Sequence, residues 1–272
     1  MNMKHKRHGF TLIEISLFLA ITGLLFMGII MGTQNVLRDQ RFFDSTQNFY
    51  EFLKSLYSQV SNPQSQGAGN SEQYAIYGKL IVFGQNTGLD GNTINNDGIQ
   101  RIYSYDVVGD ASGNMSGDVK AALKNMHANV FFPKNARSII PAGLVEDYIP
   151  RWDSEIEVTA NGDPFTGSIL IVRHPNSGTI NTLYSSTVIQ VNSVLKNANA
   201  VLNSGGTYDS YKTTLTSVMD SFTTKDLDFC VNPDSGNVNS DRRRNIRIVK
   251  NARNSSGVEL VDLDGADNRC NH

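Results

Sequence analysis

The 272-residue chain carries none of the short signatures of catalysis. It has no GxSxG elbow, no phosphate-binding Walker loop, no HExxH pair and no cysteine with a histidine close by in sequence, so no enzymatic activity is expected. His127, His174 and His272 are scattered, and His174 beside Pro175 reads as the end of a hairpin. Proline is missing until Pro63, which leaves nothing to break a helix over the first sixty residues. Cysteine is missing until Cys230, and its one companion is Cys270. Without CxxC spacing or a histidine cluster the pair does not read as zinc ligands, which leaves a disulfide or two buried thiols. We expect the disulfide, formed in an oxidising compartment; closing a loop of about 40 residues restricts the unfolded chain by roughly 4 kcal/mol on the loop-entropy model. An excess of one charge is absent too: a formal net charge of -2 gives no global attraction to nucleic acid or anionic lipid.

What is present begins with "KHKRHGFTLIEISLFLAITGLLFMGIIMG", residues Lys4 to Gly32. From Phe10 to Gly32 the only charge is Glu14, and at 1.5 Å per residue the run is long enough to cross a hydrocarbon core of about 30 Å. Lys4, Lys6 and Arg7 precede it, whereas Arg38 and Arg41 beyond it are balanced by Asp39 and Asp44. The positive-inside rule therefore puts residues 1–9 in the cytoplasm and everything after about residue 33 outside. No small-residue site of the A-x-A kind follows the run, so removal on the far side is not expected. The length leaves room for this anchor and one domain of a little over two hundred residues.

An acid at the start of a lipid-soluble helix needs a reason. "RHGFTLIE" resembles the cleavage site of type IV prepilins and pseudopilins, in which a short basic leader ends in glycine, phenylalanine follows, and an acid stands fifth in the mature chain. The resemblance makes Gly9 the last leader residue, Phe10 the new amino terminus and Glu14 the acid; His5 and His8 go with the leader. It covers Gly9 to Glu14 closely and fades beyond residue 60. It implies a prepilin peptidase that cuts between Gly9 and Phe10 and N-methylates the new amine. It also implies partners in an inner-membrane assembly platform and in other pilin subunits, and a path from the bacterial cytoplasmic membrane to an extracellular filament. The chemistry is coherent, because a carboxylate among lipid tails wants a buried cation and cleavage creates one. Residues 10 and 14 share a helical face, so the Phe10 amine can meet Glu14 within a subunit or between staggered neighbours. Such a helix can pass from lipid into a core of equally apolar helices at little solvation cost.

Beyond Gly32, apolar residues at Val36, Leu37, Phe43, Phe49, Tyr50, Leu53, Leu56, Tyr57 and Val60 come close to the three-and-four spacing of an amphipathic helix. One helix is expected to run from Phe10 to about Val60, with residues 10–32 in the membrane and the stripe of residues 33–60 covered by a sheet. Gly23, Gly28 and Gly32 weaken the membrane half and could allow close contacts or unwinding. "NPQSQGAGNS" then ends the helix and opens a globular domain over residues 61–272. Strands are expected at "YAIYGKLIVFG" from Tyr74 and "IQRIYSYDVVG" from Ile99. A hairpin is expected where "SILIVRH" and "TINTLYS" flank "PNSG", with further strands at "RNIRIVK" and "GVELVDL". Helices are expected over Asp118–His127, Ser186–Leu202 and Tyr208–Phe222. The sum is α+β, a long helix on a largely antiparallel sheet, which is also the pilin-like architecture the resemblance implies. The size of the soluble part, in Asn-, Ser- and Gly-rich insertions, favours a minor subunit over a major one.

Two candidate sites lie near the end, within the region 230–270 closed by the cysteines. Asp262, Asp264 and Asp267 surround Gly265 in "VDLDGAD"; oxygen ligands so spaced can cage calcium, or the stretch is a polar loop closed by Cys270. Asp90 and Asp97 form a sparser acidic loop of the same kind. "DRRRNIRIVK" gathers Arg242, Arg243, Arg244, Arg247 and Lys250, which can contact DNA phosphates or an acidic neighbour, or form a solvated edge strand. The family often exposes such a disulfide-bounded region, here a display surface for neighbours or a host ligand. The first reading is a filament subunit. The rival is a single-pass surface protein that never polymerises and binds DNA or a host ligand through Arg242 to Lys250.

Overall fold

A computed structural model of the chain describes residues 11–62, 74–83, 101–110, 117–126, 128–130, 145–152, 154–157, 167–174, 176–186, 215, 218–232, 244–250, 252–261 and 270. The chain divides into two compact units, Met1–Asp44 and Ser45–His272. Helix α1 spans Leu12–Ser61 without interruption, as the absence of proline and the three-and-four pattern dictate. The helical backbone continues through Gly23, Gly28 and Gly32, and a Cβ at any of the three would meet nothing within 4 Å in the single chain.

The stripe on α1 divides at the boundary between the units. Phe49, Leu53, Leu56, Tyr57 and Val60 are buried, and Ser45 and Thr46 with them, whereas Val36, Leu37 and Phe43 stay about half exposed. The expected covering of residues 33–60 by a sheet therefore holds only from Ser45 onward, where the second unit's strands supply a layer to pack against.

Among the described residues that unit has two antiparallel sheets. In the first, β1 (Tyr74–Phe83), β2 (Ile102–Asp110), β3 (Asn129–Val130), β4 (Val145–Tyr148), β6 (Gly167–Arg173) and β7 (Ile180–Ser185) run in the order β3-β2-β1-β6-β7, with β4 also paired to β2. The expected hairpin is β6–β7, with Arg173 opposite Ile180. Its turn closes through His174 N donating to Thr179 O (2.7 Å) and Gly178 N to His174 O (2.8 Å). Gly178 sits at φ 67°, a left-handed conformation that glycine adopts without steric cost. In the second sheet, β5 (Glu155–Glu157), β8 (Leu227–Asn232), β9 (Arg244–Ile248) and β10 (Val258–Val261) run β10-β9-β8-β5.

Strand alternation gives the first sheet two buried faces. Leu80, Val82, Tyr103, Tyr105, Val107, Leu170, Val172 and Leu183 pack with Leu123, Met219 and Phe222, beneath α2 (Val119–Asn125) and a 3-10 turn at Met219–Ser221. The Asp118 side chain caps α2 by accepting from Ala121 N at 2.8 Å. The other face meets α1: Thr182, Ile171, Lys79 and Asp106 lie in one cross-strand row, and the Tyr57 hydroxyl is hydrogen-bonded to Thr182 Oγ1. Burial pushes the Tyr57 phenol well above its ordinary range, so it stays protonated. Phe49 of α1 meets Phe229 of β8 edge-on at 5.7 Å, and Phe229 stacks on Phe83 of β1 at 5.6 Å, joining the helix and both sheets. At its C-terminal end α1 has no basic residue in the last turn; Arg173 Nη1 of β6 donates to Ser61 O at 3.2 Å instead.

Helices expected at Asp118–His127 and toward Phe222 are found as α2 and as the turn from Val218 to Ser221, which Phe222 leaves in extended conformation. Residues 187–202 and most of 208–217 fall outside the described residues. Strand β8 was not foreseen, and its place between β5 and β9 changes the reading of the basic run.

Candidate functional site

The first site is the beginning of α1. Leu12–Thr33 is long and apolar enough to cross a membrane, and none of it is buried within the chain. Leu12, Ile13, Leu17, Phe18, Leu24 and Leu25 are each more than half exposed, so this segment needs an apolar surrounding that the chain itself does not supply. Glu14 stands in its first turn. Thr11 precedes the helix as its cap: its carbonyl accepts from Ile15 N at 3.2 Å, and its Oγ1 accepts from Glu14 N at 3.3 Å. In return Glu14 Oε2 accepts from Thr11 N at 2.9 Å and from Thr11 Oγ1 at 3.0 Å. This is a reciprocal capping box, signalled in the sequence by "TLIE", a Thr-x-x-Glu before an apolar run. Glu14 thus has a hydrogen-bonding partner within the chain, Thr11, and not only a prospective cation. Gly9 and Phe10, the expected cleavage site, lie outside the described residues.

The second site is the disulfide-closed sheet. Cys230 of β8 is bonded to Cys270, with Cα atoms 5.6 Å apart and both residues fully buried. In the sheet register Glu157, Cys230 and Asn245 are direct neighbours across β5, β8 and β9, so the bridge sits on a face lined by polar groups. Several of these groups are hydrogen-bonded to one another, while Asn245 Oδ1 is buried with no hydrogen bond among the described residues. Asn232 Nδ2 donates to Glu157 Oε1 at 2.9 Å, Asn245 Nδ2 to Asp228 Oδ1 at 3.2 Å, and Arg247 Nε to Asp228 Oδ1 at 2.8 Å. Glu155, beside Glu157, has its carboxyl pushed above the usual range, first by desolvation and then by the neighbouring carboxylate.

This geometry breaks up the basic run. β9 has β8 on one side and β10 on the other, so it is an interior strand and the edge-strand reading is corrected. Arg247 lies opposite Asp228 while Arg244 lies opposite Val231, three residues away in the strand and therefore on the other face. Arg247 is consumed in an ion pair whose side chains are largely buried. Lys250 follows the strand at an exposed position, and its backbone N–H donates to Asp226 at 2.6 Å. Arg242 and Arg243 lie outside the described residues, as do Asp262, Asp264 and Asp267 of the expected calcium loop and Asp90 and Asp97. Among the described residues no three histidine, cysteine or acidic side chains gather as a metal site would require.

The class defined by these features is an α+β protein with, among the described residues, one candidate membrane-spanning helix near its N-terminus, and with a disulfide-closed antiparallel sheet. Comparison with protein-family models, with curated proteins and with solved structures finds no match to this chain.

Proposed function

We propose that this chain is a type IV pilin-like subunit, of the minor kind, cut between Gly9 and Phe10 and assembled into a filament through α1. The observation that carries the reading is the pairing of an apolar segment of α1 that is nowhere buried within the chain with one acid at its first turn, following a basic stretch that ends in Gly9 before Phe10. In the uncut chain the Glu14 carboxylate is held by Thr11. Cutting places an ammonium one residue before that cap, within reach of the same carboxylate, and an intersubunit pairing of the two sets the axial register of neighbouring helices. The bulk of the second unit, with its disulfide, then forms the head displayed outside the membrane. The size of that head supports a subunit present in few copies. Mass spectrometry of the protein extracted from membranes tests the reading: an N-terminus at Phe10 bearing one added methyl is expected. A retained Met1 in cells that possess the peptidase overturns it.

A further inference from the structure

Against the covered part of α1 lies a cleft of about 780 Å³, within the size range of small-molecule sites. Asn48, Glu51, Phe52 and Ser55 form one wall, and their spacing of three, four and seven places them on a single helical stripe. The opposite wall is the segment that leaves β4, from Tyr148 to Trp152. The base is aromatic: Phe52 stacks on Tyr148 with centroids 4.8 Å apart, and Phe49 packs against Tyr148 at 5.5 Å.

Trp152 is the chain's only tryptophan, and it is 52% exposed. Its φ of 61° is a left-handed conformation that a bulky side chain rarely adopts. The turn that presents it is tied down. Ser154 N and Ser154 Oγ donate to Arg151 O at 3.2 and 2.7 Å, and Ser154 Oγ is also hydrogen-bonded to Ser45 Oγ on α1. Backbone strain held in place by surrounding bonds at a cleft is the pattern of a preorganised binding surface.

Polar groups edge this aromatic base. Glu51 offers carboxylate acceptors and is oriented by Gln47 Nε2 at 2.9 Å; Arg151 offers donors from the other wall, and Asn48 offers both. The charges of Glu51 and Arg151 cancel, so nucleic acid finds no electrostatic footing. An apolar helix would cover these groups without pairing them, which is costly. A pyranose meets both demands, because its C–H face lies flat on an indole while its hydroxyls donate to Glu51 and accept from Arg151.

We propose that the cleft between α1 and the Tyr148–Trp152 segment binds a neutral oligosaccharide, with one ring stacked on Trp152 and its hydroxyls held by Glu51, Arg151 and Asn48. The proposal uses only groups in the unit Ser45–His272 and stands whether or not the chain polymerises.

The lone tryptophan makes the test direct. The full chain, in lipid nanodiscs, is titrated with maltotriose, cellotriose, chitotriose and mannotriose while indole emission and acrylamide quenching are followed. At least one trisaccharide is expected to give a saturable blue shift and to protect the indole from quenching. Glu51→Ala and Arg151→Ala, which keep the reporter, are expected to weaken that response about tenfold each at unchanged Tm. Trp152→Ala, read by calorimetry, is expected to lose binding. The proposal is overturned if none of the four sugars changes emission or quenching. It is equally overturned if both rim variants respond like the parent chain, or if protection follows protein concentration alone, which marks a second copy as the occupant.

Discussion

Glu14 has two candidate jobs, helix cap and charge partner, and substitution can separate them. Thr11 and Glu14 exchange three hydrogen bonds in the first turn of α1. Loss of a cap of this kind costs about 1 kcal/mol, within a span of roughly 0.5–2 kcal/mol. Removing one member of a buried charge pair costs about 3–5 kcal/mol, because the other charge is left behind. Glutamine serves in a capping box as glutamate does, but it carries no charge. Thr11→Ala should therefore lower filament incorporation by about fivefold, whereas Glu14→Gln should lower it by more than about a hundredfold although the cap is kept. Glu14→Ala, which loses both, should look like Glu14→Gln. The assay compares the amount of each variant in sheared surface filaments with the amount in the membrane, after mass spectrometry has shown equal cleavage. If Glu14→Gln assembles like the parent while Thr11→Ala and Glu14→Ala fail together, Glu14 is a cap and nothing more, and the register argument is refuted.

Reducing the Cys230–Cys270 bridge, or replacing both cysteines with serine, should cost about 4 kcal/mol on the loop-entropy model; calorimetry should show the melting temperature of the unit Ser45–His272 fall by roughly 10 °C. Lys79 and Asp106 face each other across β1 and β2 at 2.7 Å with side chains about 90% buried; Asp106→Asn should destabilise by about 3–5 kcal/mol in urea, whereas Lys79→Met with Asp106→Leu should come close to neutral. Glu155 has its folded pKa raised, so its contribution to stability is fully present below the ordinary glutamate range and is lost as pH rises through the raised value. Glu155→Gln should accordingly raise the melting temperature by about 1 °C at pH 7 and leave it unchanged near pH 3. A lower melting temperature at pH 7 would contradict that sign.

Some parts of this architecture are written locally. The 50-residue helix follows from spacing and from the missing proline, and the β6–β7 hairpin follows from "PNSG" between two β-branched runs. The capping box was equally legible in "TLIE". Strand β8 carried a signal too, since Leu227, Phe229 and Val231 alternate with Asp228, Cys230 and Asn232. It is harder to see because Asp228 and Asn232 are buried as well, hydrogen-bonded to partners from β9 and β5 that lie 17 and 75 positions away in the chain. Strands β4 and β5 are four and three residues long, too short for any period to show.

The sequence by itself determined that the chain has a membrane-length apolar helix with one acid at its start, a second amphipathic stretch continuous with it, and two cysteines with only each other to bond. Those properties depend on neighbours within a few turns, or on there being no other candidate partner. Tertiary structure alone decided that the basic run becomes an interior strand whose arginines point to opposite faces. It alone paired Lys79 with Asp106, and it alone brought Trp152 beside Glu51 across a cleft. Each of these is set by strand register or by the docking of segments a hundred residues apart, and shifting a register by one residue would turn every such side chain to the other face.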